Sequence, residues 1–261
     1  MTTPDFITEL FCRVDDVMNT QPQAAKHTLA HLHPSEVVTL GLLLALSGKG
    51  NRAFDRWAQR DLKSHLKPLF PLLPERTRLF RLLEQHALWT QLFLAQPTFF
   101  GVCDSYGIEL VHPKREGRSP QQIGRKGKSN HRWIIGAKFA VLLNSQGLIV
   151  NWSCATANVH DSAFHPLIAW FQEQMIVLTD SGFHRKEGDP LNLKVCRKGT
   201  WGERMLIKTM FSMLTGACHL KKLAHRAWQT LQMRLAYVVA AYNVCVQWHG
   251  EVRLSLAPFS L

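Results

Sequence analysis

Two short apolar runs, each closed by an aspartate, constrain this chain more than anything else in it: Phe99-Phe100-Gly101-Val102-Cys103-Asp104 and Met175-Ile176-Val177-Leu178-Thr179-Asp180. A compact apolar run of that length reads as a buried strand. A buried strand needs covering layers, which this chain of 261 residues, 46% of them hydrophobic, can supply.

Between and around the two runs the pattern alternates. Trp133 to Leu143 and Leu148 to Cys154 read as strands about the turn Asn144-Ser145-Gln146-Gly147, and Leu191 to Cys196 as a last short strand. Asp161 is placed to cap a helix over Ser162 to Gln172, a further helix starts near Trp201, and a final one covers Ala224 to Trp248. The stretch from Lys114 to Arg132 contains Gly117, Pro120, Gly124 and Gly127 and reads as a loop. The expectation is an α/β domain over 98–261, a mixed sheet flanked by helices that includes the C-terminal helix. Residues 1–97 read as a helical N-terminal domain. There Phe6, Leu10, Phe11, Val14 and Val17 fall at helical spacing, and Ser35 stands as N-cap of an apolar helix ending near Gly48. Further helices run from Arg52 to about Lys67 and from Glu75 to Gln91. Trp228, Leu231, Leu235, Val238, Val239, Tyr242 and Val246 space the last helix for core packing, with a homodimer seam as the alternative.

The chain carries a net charge of +12, and that charge is concentrated. Lys114 to Lys138 holds eight basic residues and one acid, His184 to Arg226 ten against three, so each window is +7 and the remainder is slightly acidic. A basic run can be a mere solvated face. Two of them flanking one acidic site point to a polyanion, and to nucleic acid first. The six cysteines are scattered without CxxC or zinc spacing, which suits free thiols in a reducing compartment. Asp5, Glu9, Asp15 and Asp16 against Arg13 give the first turns the wrong charge for a signal peptide. Val37 to Leu46 is too short to span a bilayer. A cytoplasmic protein with no membrane partner is expected.

An aspartate at a strand's end is often only a turn former or cap. On neighbouring strands, however, Asp104 and Asp180 converge at one edge of the sheet, where two carboxylates need a cation, for which Mg²⁺ is the usual solution. Such a site can activate an attacking oxygen and stabilise a leaving one at a phosphodiester. The basic segments, with Arg125, Lys126, Lys128, Arg132 and Lys138 in the first, would hold the backbone phosphates. Phe99, Phe100, Trp133, Trp152 and Phe164 read as core.

Several of these pieces, in order, resemble the DDE transposases of bacterial insertion sequences, whose catalytic domain has the ribonuclease-H-like fold of retroviral integrases. Ser35-Glu36-Val37-Val38-Thr39-Leu40, Asn51-Arg52-Ala53-Phe54 and Phe70-Pro71-Leu72-Leu73-Pro74 resemble the helical leader of one such group. Cys103-Asp104-Ser105 resembles the first catalytic segment and Asp180-Ser181-Gly182-Phe183 the second. His131-Arg132-Trp133 with Gly136-Ala137-Lys138, and Asn158-Val159-His160-Asp161-Ser162, are similar to the connecting motifs. The resemblance implies that Asp104 and Asp180 bind Mg²⁺ or Mn²⁺, and that the reaction is cleavage of DNA at element ends followed by strand transfer into target DNA.

The third acid departs from that pattern. The family helix carries an aromatic residue, two others, an arginine, three others and a glutamate; here the frame reads Trp201, Arg204 and Lys208. Leu206, Met210, Met213, Leu214 and Ala217 form one apolar face, leaving Trp201, Arg204 and Lys208 opposite, toward the site and toward DNA. Trp201 is the candidate for stacking against a nucleotide. Glu203 projects away from Lys208 and fits a capping box with Thr200, its role as substitute ligand being the lesser reading. An ammonium at position 208 opposes a metal and suits a phosphate. Lineage and activity therefore separate: the resemblance implies a transposase, the residues an inactivated copy. The other readings are a non-catalytic DNA-binding protein that represses transposition through mixed oligomers, and a structure-specific nuclease.

Overall fold

The structure is a computed structural model that describes residues 3–22, 30–62, 70, 72–129, 132–196, 202, 204–221 and 223–249. These residues form two compact units. The first holds the residues up to Phe93 together with Gln229–Cys245, and the second holds Leu94–Trp228 and the described residues from Val246.

The first unit is helical: α1 (Thr3–Asn19), α2 (Pro34–Ser47), α3 (Asn51–Trp57) with a π-helical turn after it, α4 (Arg76–His86) with a 3₁₀ turn after it, and most of α7 (Trp228–His249). Helix α2 is apolar all round, so it can only be a central helix, and Ser35 to Ser47 are all buried. Its N-cap is His33, not Ser35: Pro34 occupies the first turn, where a missing N–H costs nothing, and the His33 N–H donates to Glu36 Oε2 at 2.5 Å. The last helix, expected with the sheet, packs into this unit. Gly41 of α2 lies against the Tyr237 ring, the Tyr237 hydroxyl donates to the Leu83 carbonyl at 2.9 Å, and Asn243 Nδ2 donates to the Phe93 carbonyl at 2.8 Å. Hydrophobic spacing shows that a helix is buried, not which unit buries it.

The second unit is a six-stranded mixed sheet with helices. Its strands are β1 (Phe100–Val111), β2 (Arg125–Ser129), β3 (Arg132–Asn144), β4 (Ile149–Thr156), β5 (Ile176–Thr179) and β6 (Leu193–Val195). The path runs β2-β3-β1-β5-β6. Strand β3 pairs antiparallel with β1 along its length, with β2 over its first half and with β4 over its second. Strands β5 and β6 run parallel to β1. A 3₁₀ turn and α5 (His165–Ala169) connect β4 to β5, and α6 (Arg204–Ala217) follows β6. The sequence reads as three clustered strands, a helix, two further strands and a helix, and the structure keeps that order with β2 added as a fourth strand before the helix.

Two expectations fail here for one reason. The basic stretch is not all loop, because Arg125–Ser129 is a strand, and β1 does not stop at Asp104. The glycines taken as loop signals are close-approach positions. A Cβ on Gly127 would run into the Ala157 carbonyl, and one on Gly124 would lie 2.8 Å from the Gly136 Cα. Strand β3 is buried from Ile134 to Asn144 except at Lys138, and Phe139 packs against Trp152 at 5.9 Å and Phe211 of α6 at 6.4 Å between ring centroids. Among the described residues no helix is long and apolar enough to cross a membrane, and all six cysteines are free.

Candidate active site

Asp104 and Asp180 meet because of strand register. The parallel pairing of β1 with β5 matches Phe100 with Ile176, Gly101 with Val177 and Val102 with Leu178. The same offset, two residues on, sets Asp104 against Asp180. There β5 leaves the sheet while β1 continues along β3, so the edge opens at Asp104, in mid-strand. Asp180 caps the 3₁₀ turn Ser181–Phe183, its Oδ1 accepting the Gly182 N–H at 2.9 Å. Glycine at 182 allows this turn its approach, since a Cβ there would sit 3.0 Å from both Asp180 Oδ1 and Asp161 Oδ2.

A guanidinium lies between the two acids. Arg204 Nη2 is 3.0 Å from Asp180 Oδ2 and 3.9 Å from Asp104 Oδ2. All three side chains are partly buried, at 21 to 29% exposure, so this contact is less screened than a surface pair. Burial pushes the Asp104 carboxyl up to about 6; the Ser105 N–H pulls it down, the Asp180 charge raises it, Arg204 lowers it and Asp161 raises it. Burial, then the charges of Asp104, Asp161 and Asp180, push the Cys103 thiol well above its ordinary value, so it is not a nucleophile.

Asp161 does not cap a helix. His160 is the N-cap of the 3₁₀ turn Asp161–Phe164, and the Asp161 carboxylate turns to the sheet. Its Oδ1 accepts from the Ser105 hydroxyl at 2.5 Å and pairs with Lys138 Nζ at 3.1 Å. Ser105 and Lys138 occupy the sheet face opposite to Asp104, because Asp104 stands across from Val141 while Ser105 stands across from Ala140. Asp161 Oδ1 is thereby paired with a lysine on that face, while its Oδ2 lies beside the Gly182 turn, next to Asp180.

Of the residues expected on DNA, Arg125, Lys126, Lys128 and Arg132 are exposed on β2 and β3. Lys138 is not available: its side chain is 14% exposed and also donates to the Val159 carbonyl at 2.7 Å. Arg204 is engaged by the acids. Lys208 is exposed one turn further along α6, whose buried face is Ile207, Met210, Phe211, Leu214 and Ala217. That face is rotated by about 50° from the expected one, at 100° per residue. It brings Arg204 to its flank and leaves Lys208 toward solvent. Trp201, Glu203, Thr200 and His131 lie outside the described residues. The aromatic core expectation fails at Phe99, Phe100 and Trp133, which are 66, 50 and 61% exposed, and holds at Phe164.

Sequence reading missed the Arg204 bridge, the Lys138–Asp161 pair and a cluster on the loop after Asp180. In that loop His184 Nδ1 lies 2.6 Å from Asp189 Oδ2, and His165 Nε2 lies 2.6 Å from the Phe183 carbonyl and 3.7 Å from Asp189. Burial raises the Asp189 carboxyl, and the bonds from His184 and the Arg185 N–H, with the two histidine charges, more than reverse it. These contacts brace the loop.

Among the described residues no group of three or more His, Cys, Asp or Glu side chains is placed to hold a metal ion. Two carboxylates in register, with a cation already drawn between them, are nevertheless a hard-oxygen donor set with surplus negative charge. That suits Mg²⁺ or Mn²⁺, which keeps several waters and takes one or two protein carboxylates plus substrate phosphate. Comparison with family models, curated proteins and solved structures returns no match.

Proposed function

We propose that this protein is an insertion-sequence transposase with a ribonuclease-H-like catalytic unit, acting on DNA phosphodiesters at element ends with Mg²⁺ or Mn²⁺. The observation that carries the reading is the in-register pair Asp104 and Asp180, on parallel neighbours at the point where the sheet opens. The strand order, four strands joined by antiparallel pairing and then two parallel to the first, supports the fold. The exposed cations of β2 and β3 support DNA as partner.

Asp104 and Asp180 would hold the metal, which when bound supplies Lewis acidity at a phosphate oxygen and a water of lowered pKa. Arg204, released from the acids, is within reach of a phosphate entering the site. Lys138 pairs with Asp161, and the Gly182 turn sets the direction of the Asp180 carboxylate. Arg125, Lys126, Lys128 and Arg132 track the backbone.

The lack of a third acid placed to hold a metal with Asp104 and Asp180 among the described residues, with lysine at 208, favours a second reading, a DNA-binding descendant that has lost turnover and represses the active enzyme. The deciding assay is nicking and strand transfer on DNA carrying the element's own ends, with Mg²⁺ or Mn²⁺. Cut and joined products support the transposase; cutting without joining points to a nuclease; tight binding without cutting supports the repressor.

A further inference from the structure

We infer that Trp133 is a stacking platform for an unpaired DNA strand, flanked by two phosphate-binding lysines; this rests on the proposal that the unit binds DNA, but not on cleavage. Trp133 is 61% exposed, although Ile134 and Ile135 beside it are buried to 1%. Burying a large apolar ring is favourable, so a strand that leaves one out forgoes that stabilisation at this position. The surroundings identify the partner. No acid occurs between Arg125 and Lys138 in the sequence, and Glu109, which pairs with Arg132 at 3.4 Å, belongs with Arg132 to the other face of the sheet. Lys128 stands directly across from Trp133, and Lys126 across from Ile135, with its Nζ over the Trp133 ring at 5.6 Å from the centroid. Side chains directly opposite share a sheet face, so Lys126, Trp133 and Lys128 form one stripe.

That stripe lies on the face of the acids. Trp133, Ile135, Ala137, Phe139 and Val141 alternate onto one side of β3, and Val141 stands opposite Asp104. Eight residues of strand separate Trp133 from the position of Asp104, roughly 27 Å. At the ~3.4 Å axial rise of a duplex this is on the order of eight steps, and fewer for an extended unpaired strand. A base within a duplex offers no open face to an indole. An unpaired base does, and an aromatic ring set among cations is the arrangement that binds single strands without reading sequence.

The test uses the full chain and two DNA probes, a blunt duplex and the same duplex with a ten-nucleotide single-stranded tail carrying 2-aminopurine. The wild type is expected to bind the tailed duplex roughly tenfold more tightly, the size expected from stacking one base, and to quench the 2-aminopurine. Trp133→Leu should bring the tailed duplex down to the blunt-duplex affinity and abolish quenching, and Trp133→Phe should restore both in part. Lys126→Ala with Lys128→Ala should weaken both probes. If Trp133→Leu keeps the tail preference and the quenching, the platform is refuted while DNA binding stands. If the wild type binds neither probe, the DNA-binding reading falls with it.

Discussion

Replacing Arg204 by glutamine removes the cation that bridges Asp104 and Asp180, and the effect on metal binding can be worked from the distances. At 3.0 and 3.9 Å, with an effective dielectric of about 20, the gross attractions are about 5 and about 4 kcal/mol. Desolvation of three partly buried groups offsets most of that sum. A divalent ion entering between the acids must displace the guanidinium or share the site with it, and either way it loses the part of the attraction that remains. Taking about 1.5–3 kcal/mol for that remainder, Arg204→Gln should bind Mn²⁺ roughly ten- to a hundredfold more tightly.

The measurement is a Mn²⁺ titration of the full chain at pH 8, read by the electron paramagnetic resonance of free Mn²⁺, without reference to activity. The pH matters because burial already holds Asp104 up at about 6, and losing Arg204 removes an influence that lowers it. At pH 8, above that value, protonation of Asp104 in the wild type does not blur the comparison. Unchanged or weaker binding by Arg204→Gln would refute the idea that the guanidinium occupies the position of the metal.

Asp104→Asn should stabilise the fold at pH 8, where the wild type keeps a buried charge, by on the order of 2–3 kcal/mol, read as a higher melting temperature. An acid raised from 3.8 to about 6 binds more protons folded than unfolded in that window, so wild-type stability falls as pH rises through it and the advantage of the variant disappears below about pH 4. Alanine at Arg125, Lys126 and Lys128 together should weaken binding to duplex DNA and reduce the slope of log affinity against log salt by roughly 2–3, measured by anisotropy. Gly41→Ala, which drives a methyl into the Tyr237 ring, should cost about 1–3 kcal/mol in a denaturant titration; no loss would mean that α2 and α7 are not packed as closely as described.

Much of the fold was legible because its signals are local. The apolar runs before Asp104 and Asp180, the turn at Asn144 to Gly147 and the amphipathic repeat of α1 each specify an element within a few residues. The misses are tertiary. Gly124 and Gly127 carry the same letters whether they form a loop or let β2 lie against Gly136 and Ala157. The spacing along α7 does not say which unit covers it, and His33 displaces Ser35 as cap because Pro34 is admitted to the first turn.

The site shows the same division, and helix α6 shows why. Leu206, Ile207, Met210, Phe211, Met213 and Leu214 spread apolar residues over about 160° at 100° per residue, wider than one buried stripe needs, so periodicity fixes that it is a helix but not its rotation. Packing chooses Ile207 and Phe211 over Leu206 and Met213, because Phe211 stacks on Tyr106 at 5.2 Å between centroids. Tyr106 lies two residues beyond Asp104, on the same face of β1. The aromatic contact that sets the rotation of α6 therefore also brings Arg204 to Asp104 and Asp180. The two acids are legible because strand register needs only neighbours. The cation that answers them depends on one ring pair half a helix away, and Tyr106→Ala should accordingly loosen the Arg204 bridge and tighten Mn²⁺ binding toward the level of Arg204→Gln. Unchanged Mn²⁺ affinity in a folded Tyr106→Ala protein would show that α6 holds its rotation without that ring.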